Sequence, residues 1–172
     1  MNNPTLCINH ELSEWKKQIP DIDKQSLQIA DMVFKYLDSR KRLDFLPQGK
    51  PVNIGLTLTG DREIHHLNQE FRGIDKPTNV LSFAALDDED FAQDAQIYDE
   101  VELGDIIIAY ETTEKEAKEK NISLHDHYCH LLIHGLLHLS GFDHQSDEEA
   151  DEMEGIEIEI LHQLNIANPY TE

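Results

Sequence analysis

Apolar residues recur along this chain with two different periods, and the places where one period gives way to the other outline its elements. Over residues 23–37, Leu27, Ala30, Phe34 and Leu37 return every three to four positions, which predicts a helix with one apolar face. Val52, Ile54, Leu56 and Leu58 then alternate with smaller or polar residues, the two-residue period of a strand, and residues 5–9 predict a shorter strand upstream. Thr59-Gly60-Asp61 turns the chain, and Asp61 is placed to cap a helix in which Ile64, Leu67, Asn68 and Phe71 share a face. Residues 80–85 and 103–109 predict two more strands. Between them, residues 87–102 carry eight acidic side chains with only scattered apolar ones, and the expectation is a mobile, solvated loop. Residues 112–120 form a polar helix with Glu114 and Lys118 at the supportive i, i+4 spacing.

Residues 124–139 differ from everything before them. Tyr128, Leu131, Leu132, Ile133, Leu136, Leu137 and Leu139 leave little polar perimeter apart from histidines, so this helix is expected to be buried on most sides. An acidic last helix over residues 147–164 packs through Met153, Ile156, Ile160 and Leu164. The order of elements shows no repeat and no second block of composition. It predicts one domain over residues 1–172 with an α+β fold: a small mixed sheet packed with helices around one central helix.

Charge narrows the function. Thirty-five acidic against 14 basic residues give a formal charge of −21. A chain so negative is not built to coat nucleic acid in general, because a polyanion is repelled unless cations are gathered at one place. All 14 Lys and Arg lie at or before Lys120, and the remaining segment holds eleven acidic residues and no cation. An anionic substrate therefore meets its cations in the first two-thirds of the chain, or meets a bound metal. Arg40, Lys41, Arg42 and Lys50, in a loop over residues 39–50, are the expected entry path. No stretch approaches the roughly 20 apolar residues of a membrane-spanning helix. The start, Met1-Asn2-Asn3-Pro4, lacks the basic and apolar regions of an export signal, and Cys7 and Cys129 form no CxxC pair. The expectation is a cytoplasmic protein without a membrane partner.

The chemistry lies in the histidines of the central helix. His134 and His138, four residues apart, project from one helical face within reach of a single ion. Gly141 lets the backbone leave the helix and fold back, so that His144 approaches the same point. Three nitrogen ligands with a fourth position open are the arrangement of a catalytic zinc site, whereas structural zinc is usually closed by four ligands rich in Cys. One Zn2+ per chain at His134, His138 and His144 is the expectation, with other divalent transition metals as alternatives. The frame matches the H-E-x-x-H-x-x-G-x-x-H of the metzincin proteases except that Gly135 stands at the Glu position. That Glu moves the proton a departing amine needs, so peptide hydrolysis loses its general base. Cleavage of a phosphodiester depends less on it. His127 and His130, two turns and one turn earlier, support the site or reach solvent rather than ligate. Asp143 either orients an imidazole or stabilises its own turn.

The run His134-Gly135-Leu136-Leu137-His138-Leu139-Ser140-Gly141-Phe142-Asp143-His144 closely resembles the signature H-G-x-L-H-L-x-G-x-D-H of the YbeY family of bacterial endoribonucleases. A second stretch, from Leu67-Asn68 through Phe71-Arg72 and Asp75-Lys76-Pro77-Thr78-Asn79-Val80-Leu81-Ser82-Phe83, is similar to that family's L-N-x-x-(F/Y)-R-x-x-D-x-P-T-D-V-L-S-F, and Gly104-Asp105-Ile106 to its G-D-I strand. The matches span residues 52–170 and depart at Asn79, where the family has Asp. The resemblance implies a metal-dependent endoribonuclease specific for single-stranded RNA, acting on the 3′ end of the 16S rRNA precursor and in ribosome quality control, with ribosomal proteins as further partners. It implies His134, His138 and His144 as metal ligands and Arg72 as a catalytic residue; Lys76, nearby in sequence, is a weaker second candidate of our own reading. A guanidinium, always charged and able to fork onto two phosphate oxygens, suits that role. The rivals are a metalloprotease-like hydrolase and a non-catalytic assembly factor that uses the metal only to fold.

Overall fold

The computed structural model describes residues 4–171; the reading of an absent export signal rests on Met1–Asn3 and lies outside the described residues. Four strands form one sheet in the order β1-β2-β4-β3: β1 (Pro4–His10), β2 (Val52–Thr59), β4 (Val101–Ala109) and β3 (Val80–Ala84). The first three are parallel, and β3 runs antiparallel to β4 along one edge. Val52, Ile54, Leu56 and Leu58 of β2 are fully buried on one face, as their period predicts. The helices are α1 (Glu14–Gln18), α2 (Ile22–Ser39), α3 (Asp61–Arg72), α4 (Phe91–Ile97), α5 (Tyr110–Lys120), α6 (Leu124–Leu139) and α7 (Asp147–Gln163). α6 is the hub, packed against α2, α5, α7, β3 and β4. Ser123 caps it by accepting the Asp126 N–H at 3.0 Å, and Ser146 caps α7 through the Glu149 N–H at 3.2 Å.

Four details depart from the sequence reading. The buried stripe of α2 is Ile22, Ser26, Ile29, Ala30, Val33, Phe34 and Leu37; Leu27 faces solvent, because Ser26 turns inward to bond the buried Tyr128 hydroxyl at 2.6 Å. Asp61 does not cap its own helix. Its carboxylate accepts from the N–H and hydroxyl of Thr112 at 3.0 and 2.7 Å, in the first turn of α5, while Glu111 accepts the Asp61 N–H in return. The two helix starts thus satisfy each other. The acidic segment 87–102 is not a loop throughout: Phe91 and Ala95 sit one turn apart, Ala95 buried and Phe91 packed on Phe45 at 6.3 Å, and this makes α4. β4 also starts two residues earlier than expected, because Val101 pairs with Val52. Asp94 within α4 and the acidic residues on either side of it are exposed, and they conceal its inward face. Cys7 is exposed and Cys129 buried, and burial pushes the Cys129 thiol up to about 12, so the two are unpaired and Cys129 is inert.

Candidate metal centre

α6 ends at Leu139, and the Phe142 N–H returns to the Leu137 carbonyl at 3.0 Å over Gly141, whose φ of +99° lies in the region that glycine adopts most readily. This reversal brings His144 back over the helix end. One nitrogen from each of His134, His138 and His144 lies within 4.8 Å of the others, and the Nε2 atoms of His134 and His138 are 3.0 Å apart. Two nitrogens bound at zinc distance in a tetrahedron lie about 3.3 Å apart. Burial, then the neighbouring His134 and His144, lowers the pKa of His138, so its ring keeps a free lone pair at neutral pH. The cluster can hold a metal ion.

The residue that orients this cluster is Glu157 of α7, which the sequence reading did not single out. It is completely buried, and each of its oxygens is engaged: Oε2 accepts from His134 Nδ1 at 2.9 Å, and Oε1 accepts from His130 Nε2 at 2.9 Å and from the Tyr170 hydroxyl. Burial alone would raise its pKa; the donors His130 and His134 hold it down at about 2. With Nδ1 of His134 donating to a carboxylate, Nε2 is left as the ligand atom, the arrangement that fixes tautomer and ring plane in metal sites. Its signal was present as a lone carboxylate on the apolar stripe of α7, four residues after Met153 and three before Ile160.

His127 and His130 do not join the cluster. Both are buried, His127 on Glu116 at 2.8 Å and His130 on Glu157. Asp143 accepts the His144 N–H at 2.8 Å, and its carboxylate is 3.7 Å from the His144 ring nitrogen, so it serves its turn.

Gly135 is a packing residue. A Cβ there would stand 2.9 Å from Cγ2 of the fully buried Ile106, so the position faces β4 and not the cluster. A carboxylate at 135 would be driven into the sheet. Gly135→Ala is expected to lose about 1–2 kcal/mol in urea unfolding, since overpacking against a β-branched neighbour outweighs the helix propensity alanine gains, about 1 kcal/mol. A stabilised variant would show that α6 can lift off β4 without cost.

The cluster opens into a cleft of about 500 Å³ whose wall includes Arg72, Asn79, Ser82, Asp87, Phe142 and Asp143. Arg72, the last residue of α3, donates from Nη2 to the Ser82 carbonyl at 2.9 Å, and its guanidinium lies 4.9 Å from the Phe83 ring centre. It is the only Lys or Arg on that wall, and among the described residues no carboxylate pairs with it. Lys76 is not on the wall. Arg40 and Arg42 do not stand free as an entry path: Arg42 forks onto Glu152 at 3.1 and 3.2 Å, and Arg40 lies 3.6 Å from Glu159. Arg42 also stacks on Phe142, 4.3 Å from its ring centre, but does not itself line the cleft. Asn79 donates to Glu116 at 2.9 Å, and Glu116 also holds His127. An Asp at 79 would set two carboxylates face to face, whereas the Asn79 amide donates to Glu116.

The profile of the family described as Endoribonuclease YbeY matches residues 11–165. The chain belongs to the YbeY endoribonuclease family. The YbeY match begins well before residue 52, where the motif resemblance starts. Endoribonuclease YbeY of Paramagnetospirillum magneticum is 41% identical over 169 residues, covering 97% of this chain and 96% of that protein. Endoribonuclease YbeY of Allorhizobium ampelinum is 48% identical over 170 residues, covering 99% and 96%. The solution structure of TM1509 from Thermotoga maritima aligns over 98% of this chain and 97% of its own with a TM-score of 0.54 at 24% identity, and so shares the fold. No helix of the described residues is long and apolar enough to cross a membrane.

Proposed function

We propose that this chain is a cytoplasmic, metal-dependent endoribonuclease that acts as a single domain on single-stranded RNA, with the 3′ end of the 16S rRNA precursor as its substrate and ribosomal proteins as partners. The observation that carries this reading is the convergence of a three-histidine cluster and one free guanidinium on the same cleft. In this reading His134, His138 and His144 hold zinc, and DNA is not a substrate. Bound there, a divalent metal supplies Lewis-acid charge at a phosphoryl oxygen and makes water a nucleophile near neutral pH.

The chain's own residues supply the rest. Glu157 fixes the plane of the His134 ring, and Arg72, anchored to the Ser82 carbonyl with the remaining face of its fork open to the cleft, binds the scissile phosphate and offsets its charge as that charge grows. In a protein of charge −21, one unpaired guanidinium at the cleft decides where a polyanion can settle. Asp87 and Asp143 are the carboxylates on the wall able to take a proton from an attacking water.

The backbone of β3 speaks against peptide as substrate. The Ala109 N–H donates to Asn79 O, so by alternation the groups of Val80, Ser82 and Ala84 face away from β4. A peptide adding to this edge would need the Ser82 carbonyl, which Arg72 already occupies.

Elemental analysis of protein purified without chelator is expected to find one zinc per chain, and the same protein to cut a single-stranded RNA oligonucleotide. The His134→Ala/His138→Ala double variant is expected to lose both. Stoichiometric metal in that variant sinks the ligand assignment. Cleavage by the wild type surviving complete metal removal sinks the metal dependence, and a folded His138→Ala protein that still supports rRNA maturation favours the assembly factor.

A further inference from the structure

The apolar face expected of α3 does not close on the core. Ile64 and Asn68 are buried, but Phe71, one turn on, is 57% exposed, and Ile74 just past the helix is 44% exposed. Phe71 stands edge to face against Phe83 at 5.5 Å, and Phe83 in turn lies beneath the Arg72 guanidinium. The segment is held firmly. Gly73 ends the helix with φ +69°, the Ile74 N–H returns to the Asn68 carbonyl at 3.3 Å, and the Asn68 side chain donates to the Lys76 carbonyl at 2.8 Å. A large aromatic ring is therefore presented to water on a rigid support, one residue from the unpaired cation of the cleft.

From this juxtaposition we infer that Phe71, backed by Phe83, is the stacking platform for one unpaired nucleobase next to the phosphate that Arg72 binds. This rests on the reading of the cleft as an RNA-cleaving site and names how that site selects its substrate. Unstacked bases in single strands are recognised by stacking on aromatic rings, and any base has a π-face, so the platform reads strandedness and not sequence. A base inside a duplex has both faces covered by its neighbours and cannot reach the ring. Tyr98, the most exposed aromatic among the described residues, sits on a wall with Asp94, Asp99, Glu100 and Glu102, where a phosphate backbone is repelled. Phe71 is an exposed ring next in sequence to the cation of the cleft.

The test uses a short single-stranded RNA carrying 2-aminopurine at each position in turn around the cut. The wild type is expected to quench the probe strongly at one flanking position. Phe71→Ala is expected to abolish that quench and raise KM about tenfold or more with kcat little changed, while Phe71→Trp restores both. The preference for single-stranded over duplex RNA is expected to fall in the Ala variant. Because the ring is mostly exposed, its loss leaves the thermal transition in place, which separates a recognition defect from a folding one. Wild-type cleavage with a quench and KM unaffected by Phe71→Ala overturns the platform alone. A wild type that neither binds nor cuts the oligonucleotide overturns the reading of the cleft, and the platform with it.

Discussion

Arg72→Lys is expected to lower the rate of RNA cleavage about 10- to 100-fold, and Arg72→Ala about 100- to 1,000-fold, with metal content unchanged in both. The guanidinium does three things at once that an ammonium cannot. It anchors one nitrogen on the Ser82 carbonyl, lies over the Phe83 ring, and keeps further donors for two phosphate oxygens in one plane. A lysine keeps the charge, so it retains part of the attraction, but it offers a single strongly hydrated point and has no planar face to rest on Phe83. The loss is therefore expected mainly in kcat. Full activity in the lysine variant would reduce Arg72 to a source of attraction at a distance. Loss of metal together with rate would mean that the substitution had disturbed the cluster across the cleft, and that the role is structural.

What could be read in advance differs from element to element for physical reasons. α6 was legible to its last residue because two signals coincide there: an apolar run too dense for a surface helix, and Gly141 just beyond the end. The same run carries His134 and His138 at helical spacing, so their convergence with His144 followed from local geometry. Arg72 was different. At the end of a polar helix it is one surface cation among many, and only the family resemblance singled it out; what places it at the cleft is the edge strand β3, whose outward carbonyls no local pattern reveals. Glu157 went unnoticed because α7 is acidic throughout, and one inward carboxylate among the others carries no mark except its register with Met153 and Ile160. α4 was hidden in the same way, by acidic side chains around a Phe91 and Ala95 pair. In both cases high charge density masked a periodicity of very few residues. Phe71 fell on the predicted apolar face of α3, yet it is 57% exposed; the pattern registers an apolar side chain without saying whether its partner is core or ligand.

Glu157→Gln is expected to weaken zinc binding about 10- to 100-fold, measured by competition with a chromogenic chelator. A carboxylate accepts at both oxygens, and here both are taken, by His134 on one side and by His130 and Tyr170 on the other. Glutamine keeps the shape but offers one oxygen and one NH2, so whichever way it turns, an N–H meets an N–H or the tautomer of one histidine must change. If His134 is the loser, its Nδ1 no longer donates and the lone pair at Nε2 is no longer guaranteed for a metal. Glu157→Ala goes further, removing the buried acceptor shared by His134, His130 and Tyr170, and is expected to cost the metal-free protein about 3–5 kcal/mol. The pH dependence gives an independent check. The folded-state pKa of Glu157, held at about 2 against an ordinary 4.5, means that its stabilising contribution is fully present above about pH 4.5 and drains away as pH falls toward 2. The stability gap between wild type and Glu157→Gln is accordingly expected to be widest near neutral pH and to narrow in acid. Tyr170→Phe separates the two halves of the clamp: it removes a donor on the His130 side only, and is expected to leave zinc affinity within a few-fold of wild type. A Glu157→Gln protein with wild-type zinc affinity would mean that the cluster orients itself, and that Glu157 serves the fold alone.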